Sequence, residues 1–183
     1  DGTTKTLLII GGSLGARTIN ESIMRGIDVL LDAQVQVIWQ TGKGYYDGYR
    51  AQLAHKDLRK VRVHDFIREM DLAYAAADVV ISRSGAVAVS ELCIAGKAAI
   101  MVPSPNVAED HQTKNAMALV EKDAAILVSD KDARKELVDE ALKLLFDEQK
   151  AKRLSSNILK LARPNATRDI VNEIEALIKG QIK

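Results

Sequence analysis

Short apolar runs, each closed by a polar or glycine-rich turn and followed by apolar residues at helical spacing, recur along the first two thirds of the chain. The first is Leu7-Leu8-Ile9-Ile10, the continuous run expected of a parallel strand covered on both faces, within a strand predicted over 5–10. It leads into Gly11-Gly12-Ser13-Leu14-Gly15-Ala16, after which Ile19, Ile23, Ile27, Leu30 and Leu31 share one face of a helix predicted to end near Ala33. The same reading predicts strands over 35–39, 61–63, 79–82, 98–102 and 124–128. Between them it places helices over 46–55, from about Met70 to Ala77, from Ser84 as cap to Gly96 as stop, and from Asp110 as cap. The loop before Asp110 is assigned to 104–109. Beyond 128 the alternation ends and three helices follow. Their apolar rows are Val138, Ala141, Leu142 and Leu145; then Leu154, Ile158 and Leu161; then, after Pro164, Ile170, Ile174, Leu177 and Ile178. The last row is a clean stripe that can pack on this domain or on a partner.

Six strand-to-helix alternations predict an α/β fold, a Rossmann-like doubly wound parallel six-stranded sheet with extra C-terminal helices. In such sheets ligands bind beyond the carboxyl ends of the strands. The 183 residues fit one such domain, and 47% hydrophobic and 28% charged residues are ordinary for a globular protein. A net charge of +1 gives no global electrostatic case for nucleic acid. The lone Cys93, read as a buried apolar residue, excludes an intrachain disulfide framework and a Cys-rich zinc site. No apolar run is long enough to span a bilayer and no signal-peptide pattern shows. A start at Asp1, with a strand almost at once, is read as a piece of a longer protein.

Candidate chemistry gathers at the strand ends. In Arg83-Ser84-Gly85-Ala86-Val87-Ala88-Val89-Ser90-Glu91, Gly85 lets the backbone approach a ligand and the helix start aims free N–H groups at a phosphate or diphosphate. Glu91 can accept two hydrogen bonds from a diol such as a ribose. The alternative is a buried crossover whose Glu caps or pairs, and this stretch by itself does not decide between them. Gly11 to Ala16 fails the dinucleotide fingerprint, because Ser13 stands at its second glycine, and no acidic residue closes the next strand. What remains is a phosphate turn of another kind, with Ser13 offering hydroxyl and N–H, or, somewhat less favoured, a tight glycine-rich turn with no ligand. Gln40-Thr41-Gly42-Lys43-Gly44 is too short for a Walker A loop, and Lys43 is read as surface. Phe66, at a strand-to-helix junction, is core or the wall of a base pocket, with core favoured in isolation. His111, Gln112 and Asn115 open a helix at another strand end; hydrogen bonding to a sugar or plain capping fits them better than metal or acid–base work.

Taken together, Gly11 to Arg17, Asp65-Phe66-Ile67 with Met70, Arg83 to Glu91, and Asp110 to Ala116 resemble the UDP-GlcNAc-binding half of the undecaprenyldiphospho-muramoylpentapeptide β-N-acetylglucosaminyltransferases, from Lys5 to the last helix. That resemblance implies the C-terminal domain of a two-domain GT-B enzyme, inverting, with no cofactor and no catalytic metal. Such an enzyme moves GlcNAc from UDP-GlcNAc to lipid I, giving lipid II at the cytoplasmic face of the bacterial inner membrane. It implies a donor domain over 1–163 and, over 164–183, a helix reaching an N-terminal acceptor domain that holds the base, the lipid contacts and the membrane-docking surface. It further implies that Ser13 contacts the diphosphate, that the Ile67 backbone reads the uracil edge beside Phe66, with Met70 in the same junction, and that Gly85, Ala86, Val87 and Ala88 turn N–H groups to the phosphates. Glu91 holds the ribose, and His111 and Gln112 face the GlcNAc hydroxyls. Leu14 stands where many relatives carry Gln, and Ala88 where Thr is frequent, so a hydroxyl donor is lost there while the N–H stays. The other readings are another GT-B donor domain (diacylglycerol glycosyltransferase or UDP-sugar 2-epimerase), an oxidoreductase cofactor domain weakened by the failed fingerprint, and a non-catalytic nucleotide-binding or interaction module.

Overall fold

The computed structural model describes residues 4–105 and 110–180, so part of the predicted 104–109 loop lies outside the described residues. Six strands, β1 (Thr6–Ile10), β2 (Gln36–Gln40), β3 (Val61–His64), β4 (Val79–Ser82), β5 (Ala98–Met101) and β6 (Ile126–Leu127), form one sheet in the order β3-β2-β1-β4-β5-β6. Every neighbouring pair is parallel. Parallel neighbours require crossovers, and helices supply them. They are α1 (Arg17–Arg25) and α2 (Ile27–Asp32), then α3 (Tyr46–Leu53), α4 (Met70–Ala76), α5 (Ala86–Ala95) and α6 (His111–Val120). Helices α7 (Ala133–Phe146), α8 (Glu148–Leu159) and α9 (Ala166–Ile178) follow β6. This is the doubly wound Rossmann-like sheet that the alternation predicts.

Alternating strand side chains divide the core into two layers. Leu7, Ile9, Val37, Trp39, Val79 and Ile81 face α1, α2, α3 and α7, while Leu8, Ile10, Val80, Ala99 and Met101 face α4, α5 and α6. Helix α8 gives Leu154 to the first layer and Ile158 to the second. Each large side chain buried this way contributes roughly 1.5–3 kcal/mol. Cys93 is buried in the second layer, as read from the sequence.

Two elements differ from expectation. The helix predicted through Ala33 is two helices, broken at Gly26. A Cβ there would stand 2.6 Å from Val138 Cγ2 on α7, so only glycine lets α7 come this close, and glycine is also a weak helix residue. The sixth strand keeps only Ile126–Leu127. The Ala124 N–H donates to the Leu119 carbonyl (3.0 Å), closing the turn after α6 instead of entering the ladder.

A buried polar chain then fixes α1 against the end of β2. Trp39 Nε1 donates to Asn20 Oδ1 (3.0 Å), and Asn20 Nδ2 donates to the Thr41 carbonyl (2.8 Å). Helix α9 stands apart: none of its residues is buried, and Ile170, Ile174 and Leu177 are 60%, 50% and 62% exposed. Its stripe does not pack on this domain.

Candidate functional site

A cleft of about 1060 Å³ runs along the carboxyl ends of the strands, lined on one side by the turn after β1 and on the other by the turn after β4. Between β1 and β4 the strand order reverses, the switch point at which such sheets bind ligands.

The turn after β1 is shaped by backbone. Its Gly15 N–H donates to the Gly12 carbonyl (3.0 Å). Gly15 has φ +79° and lies so close to the Thr41 carbonyl that a Cβ would overlap it, while Gly42 packs on Gly15 in turn. The Gln40-Thr41-Gly42 segment, which has no Walker chemistry, therefore serves as the bed on which the phosphate-type turn lies. Ser13 and Leu14 are exposed at its tip and line the cleft. Lys43 is exposed and off the cleft lining, in keeping with a surface residue.

The turn after β4 is shaped by side chains. Ser84 does not cap α5. It is fully buried, its Oγ donates to the Gln112 carbonyl on α6 (2.8 Å), and its own carbonyl accepts from Asn115 Nδ2 (3.0 Å). The N-cap position belongs to Gly85, with extended backbone and no side-chain cap. One Arg83 nitrogen, Nη1, reaches the carbonyls of Val102 and Pro103 (3.0 Å each) and Asp130 Oδ1 (2.5 Å). Asp130 Oδ2 accepts from Thr18 Oγ1 on α1 (2.9 Å), so one carboxylate ties both turns together.

Helix ends set the electrostatics. Among the described residues, α1, α5 and α6 carry no acidic residue in the first turn, whereas the other six helices each do: Asp28, Asp47, Asp71, Glu136, Glu148 and Asp169. Both α1 and α5 open at the cleft, and Gln112 of α6 lines it. An acid in the first turn offsets the positive helix end; without one, that end and its unbonded N–H groups are left for an external anion. Arg17 adds a guanidinium at the same place and makes no ion pair among the described residues. Arg134, also on the cleft, pairs with Glu21 (2.7 Å).

The remaining candidates separate. Phe66 is 51% exposed and walls the cleft, contrary to the core assignment that its local sequence favours. Its Asp65 neighbour shapes the junction by accepting the Phe66 N–H (2.7 Å). Ile67, Met70, Gly85, Ala86, Val87, Ala88 and Glu91 all line the cleft. The Ile67 N–H is donated to Gln40 Oε1 (2.8 Å), and Gln40 Nε2 donates to the Gly12 carbonyl (3.1 Å), so this buried amide joins the Phe66–Ile67 junction to the first turn. Gln112 Oε1 accepts the Ser104 N–H (2.9 Å), which turns its NH₂ group outward as a donor. His111 is exposed and is not on the cleft lining. Asp110 stands at the α6 N-cap position with φ +56° and makes no side-chain cap bond, so the predicted cap is absent. Among the described residues no group of three or more His, Cys, Asp or Glu side chains could hold a metal ion.

Glu91 accepts from the Tyr74 hydroxyl (3.1 Å) on α4. Burial, then the charge and hydrogen bond of Glu91, push the Tyr74 pKa well above the ordinary tyrosine value, which keeps the hydroxyl protonated. Sequence reading gave no role to Arg17, Thr18, Gln40, Tyr74 or Asp130, although Arg17 and Gln40 stand in motifs it singled out. The acid-free first turns were a usable signal for the site as a whole.

Residues 6–173 match the family model for the glycosyltransferase family 28 C-terminal domain. The chain is 54% identical over 174 residues to a Parabacteroides distasonis protein named UDP-N-acetylglucosamine--N-acetylmuramyl-(pentapeptide) pyrophosphoryl-undecaprenol N-acetylglucosamine transferase, covering 95% of this chain and 47% of that protein. A Cytophaga hutchinsonii protein of the same name is 54% identical over 178 residues, covering 97% and 47%. Among solved structures, Acinetobacter baumannii MurG superposes with a TM-score of 0.83 at 32% identity, covering 94% of this chain and 50% of that one. The chain thus spans about half the length of the curated relatives it matches.

Proposed function

The chain belongs to the glycosyltransferase family 28 C-terminal domains, and from that premise we propose that it is the donor-binding half of an inverting transferase that moves GlcNAc from UDP-GlcNAc to an undecaprenyl-diphosphate-linked muramoyl acceptor. The observation that carries this reading is the meeting, in one cleft, of two acid-free helix N-termini with Glu91 and the exposed face of Phe66. A nucleoside diphosphate sugar matches that order of groups. Its diphosphate lies at the N-termini of α1 and α5, with Ser13 and Arg17 beside it and the N–H groups of Ala86, Val87 and Ala88 turned to it. Uracil stacks beside Phe66 and Met70 and presents its N3–H to the Ile67 carbonyl, because the Ile67 N–H is already taken by Gln40. Glu91 accepts the ribose hydroxyls. The Gln112 NH₂ donates to a GlcNAc hydroxyl, with His111 at the same helix start. The volume, about 1060 Å³, lies just above the roughly 300–1,000 Å³ range of small-molecule clefts.

As the glycosidic bond breaks, negative charge grows on the departing UDP. Fixed N–H dipoles, two helix ends and Arg17 stabilise that charge more in the transition state than in the ground state, which is what lowers a barrier. The base for the acceptor hydroxyl, the lipid I contacts and the membrane-docking surface belong to an acceptor half of the kind that makes up the rest of the relatives' length. Helix α9, within the segment expected at 164–183, reaches toward that half with its uncovered stripe. The working location is then the cytoplasmic face of the bacterial inner membrane, as a peripheral enzyme; among the described residues no helix is long and apolar enough to cross a membrane.

Calorimetric titration with UDP and UDP-GlcNAc tests the reading. Glu91→Ala is expected to weaken both by about 1–3 kcal/mol, the scale of hydrogen bonds to a charged group. An unchanged affinity would sink the ribose assignment.

A further inference from the structure

We propose that Tyr74 is the positioning residue for the donor's ribose: its hydroxyl holds the Glu91 carboxylate in the orientation from which Glu91 accepts the sugar diol. The inference rests on the assignment of Glu91 to the ribose. Tyr74 does not line the donor cleft. It lines a separate groove of about 560 Å³ between α4 and α5, and Glu91 stands on the wall that the groove and the cleft share. Met70 stands on that shared wall too, but the hydroxyl bonds Glu91, so its loss acts on the donor through Glu91.

The two partners are unequal in mobility. Tyr74 is 7% exposed and packed in the second core layer, so its ring is fixed, whereas Glu91 is exposed on α5. A free Glu side chain must lose the freedom of its torsions when a ligand binds. The 3.1 Å bond from Tyr74 removes much of that freedom beforehand. A carboxylate has two oxygens and about four acceptor sites. Tyr74 occupies one site on Oε2 and leaves Oε1, with the second site on Oε2, for a pair of adjacent hydroxyls. The raised Tyr74 pKa keeps the proton on this donor through neutral and mildly alkaline pH.

The test is calorimetric titration of the chain with UDP and with 2′-deoxy-UDP, for the unaltered sequence, Tyr74→Phe, Glu91→Ala and the double variant. Phe fills the same buried volume, so its melting curve should stay close to the original. Tyr74→Phe should weaken UDP about fivefold to tenfold, the scale of one lost hydrogen bond, and 2′-deoxy-UDP by no more than about twofold. In the Glu91→Ala background it should change neither. A purely structural tie between α4 and α5 would shift both ligands equally, or neither, and would persist without Glu91; either pattern overturns the proposal. Absence of UDP binding, or an unchanged affinity in Glu91→Ala, would instead overturn the ribose assignment and the role of Tyr74 with it.

Discussion

The turn after β1 and the turn after β4 line the same cleft and open helices of the same electrical character, yet they are held by opposite means. The first is held by backbone fit, with Gly15 and Gly42 packed so closely that neither has room for a side chain. The second is held by side chains, Arg83 and Ser84, bonded to partners just after β5, on α6 and in the loop after β6. Its own glycine, Gly85, has ordinary φ −64° and open space around a hypothetical Cβ. Two turns on one cleft thus use glycine for different ends: Gly15 lets the protein close on itself, and Gly85 leaves open space where the diphosphate is proposed to lie.

The harshest way to break this comparison is Gly15→Ala. The new methyl would overlap the Thr41 carbonyl, and φ +79° is a poor conformation for any L side chain. Strain and overlap together should cost at least about 3 kcal/mol. Urea unfolding measures it, and a loss below 1 kcal/mol would show that the backbone bed is softer than its geometry. Next in size is Asp130→Ala, which removes an acceptor from Arg83 and from Thr18. The pair is largely buried, at 14% and 17% side-chain exposure, but Arg83 keeps two carbonyl acceptors. The expected loss is about 2–3 kcal/mol, below the usual cost of breaking a fully buried pair. Stability within 0.5 kcal/mol of the original would mean that the second turn does not depend on its side chains.

The difference between the turns also explains what was legible beforehand. Strands such as Leu7 to Ile10 and Val79 to Ile81 were plain, because a parallel strand buried on both faces writes itself as an unbroken apolar run. The glycine-rich turn was visible for a similar reason: φ > 0 and close approach demand one residue type. Ser84 was misread. A Ser and a Gly before a helix look the same whether the Ser caps that helix or tethers another one, and its partner Gln112 lies 28 residues away. Asp130 was invisible for the same reason, being 47 residues from Arg83 and 112 from Thr18. Gly26 broke a helix that its periodicity supports because of Val138, far along the chain. Phe66 was drawn toward the core by its hydrophobicity, while the exposed wall it forms depends on four loops meeting. The acid-free first turns of α1, α5 and α6 could have been read from sequence. They gain meaning only beside the other six helices, each of which has its acid.

The smallest stability effect separates the two uses of glycine most sharply. Gly85→Ala places a methyl where nothing lies within 4 Å, on backbone that alanine adopts readily. Removing a glycine narrows the unfolded ensemble, a gain of about 0.4–1 kcal/mol, while alanine is a poorer N-cap than glycine by a similar amount, so stability should stay within about 1 kcal/mol of the original. The same methyl stands on the cleft at the start of α5, where the diphosphate is proposed to touch the backbone. UDP affinity should therefore fall about tenfold, as expected when an atom is inserted between an anion and the N–H groups that bind it. Paired with Gly15→Ala, this dissects the site: one substitution loses the fold and the other loses only the ligand. If Gly85→Ala binds UDP as tightly as the original, the diphosphate does not approach this turn, and the anion belongs at the N-terminus of α1 with Ser13 and Arg17.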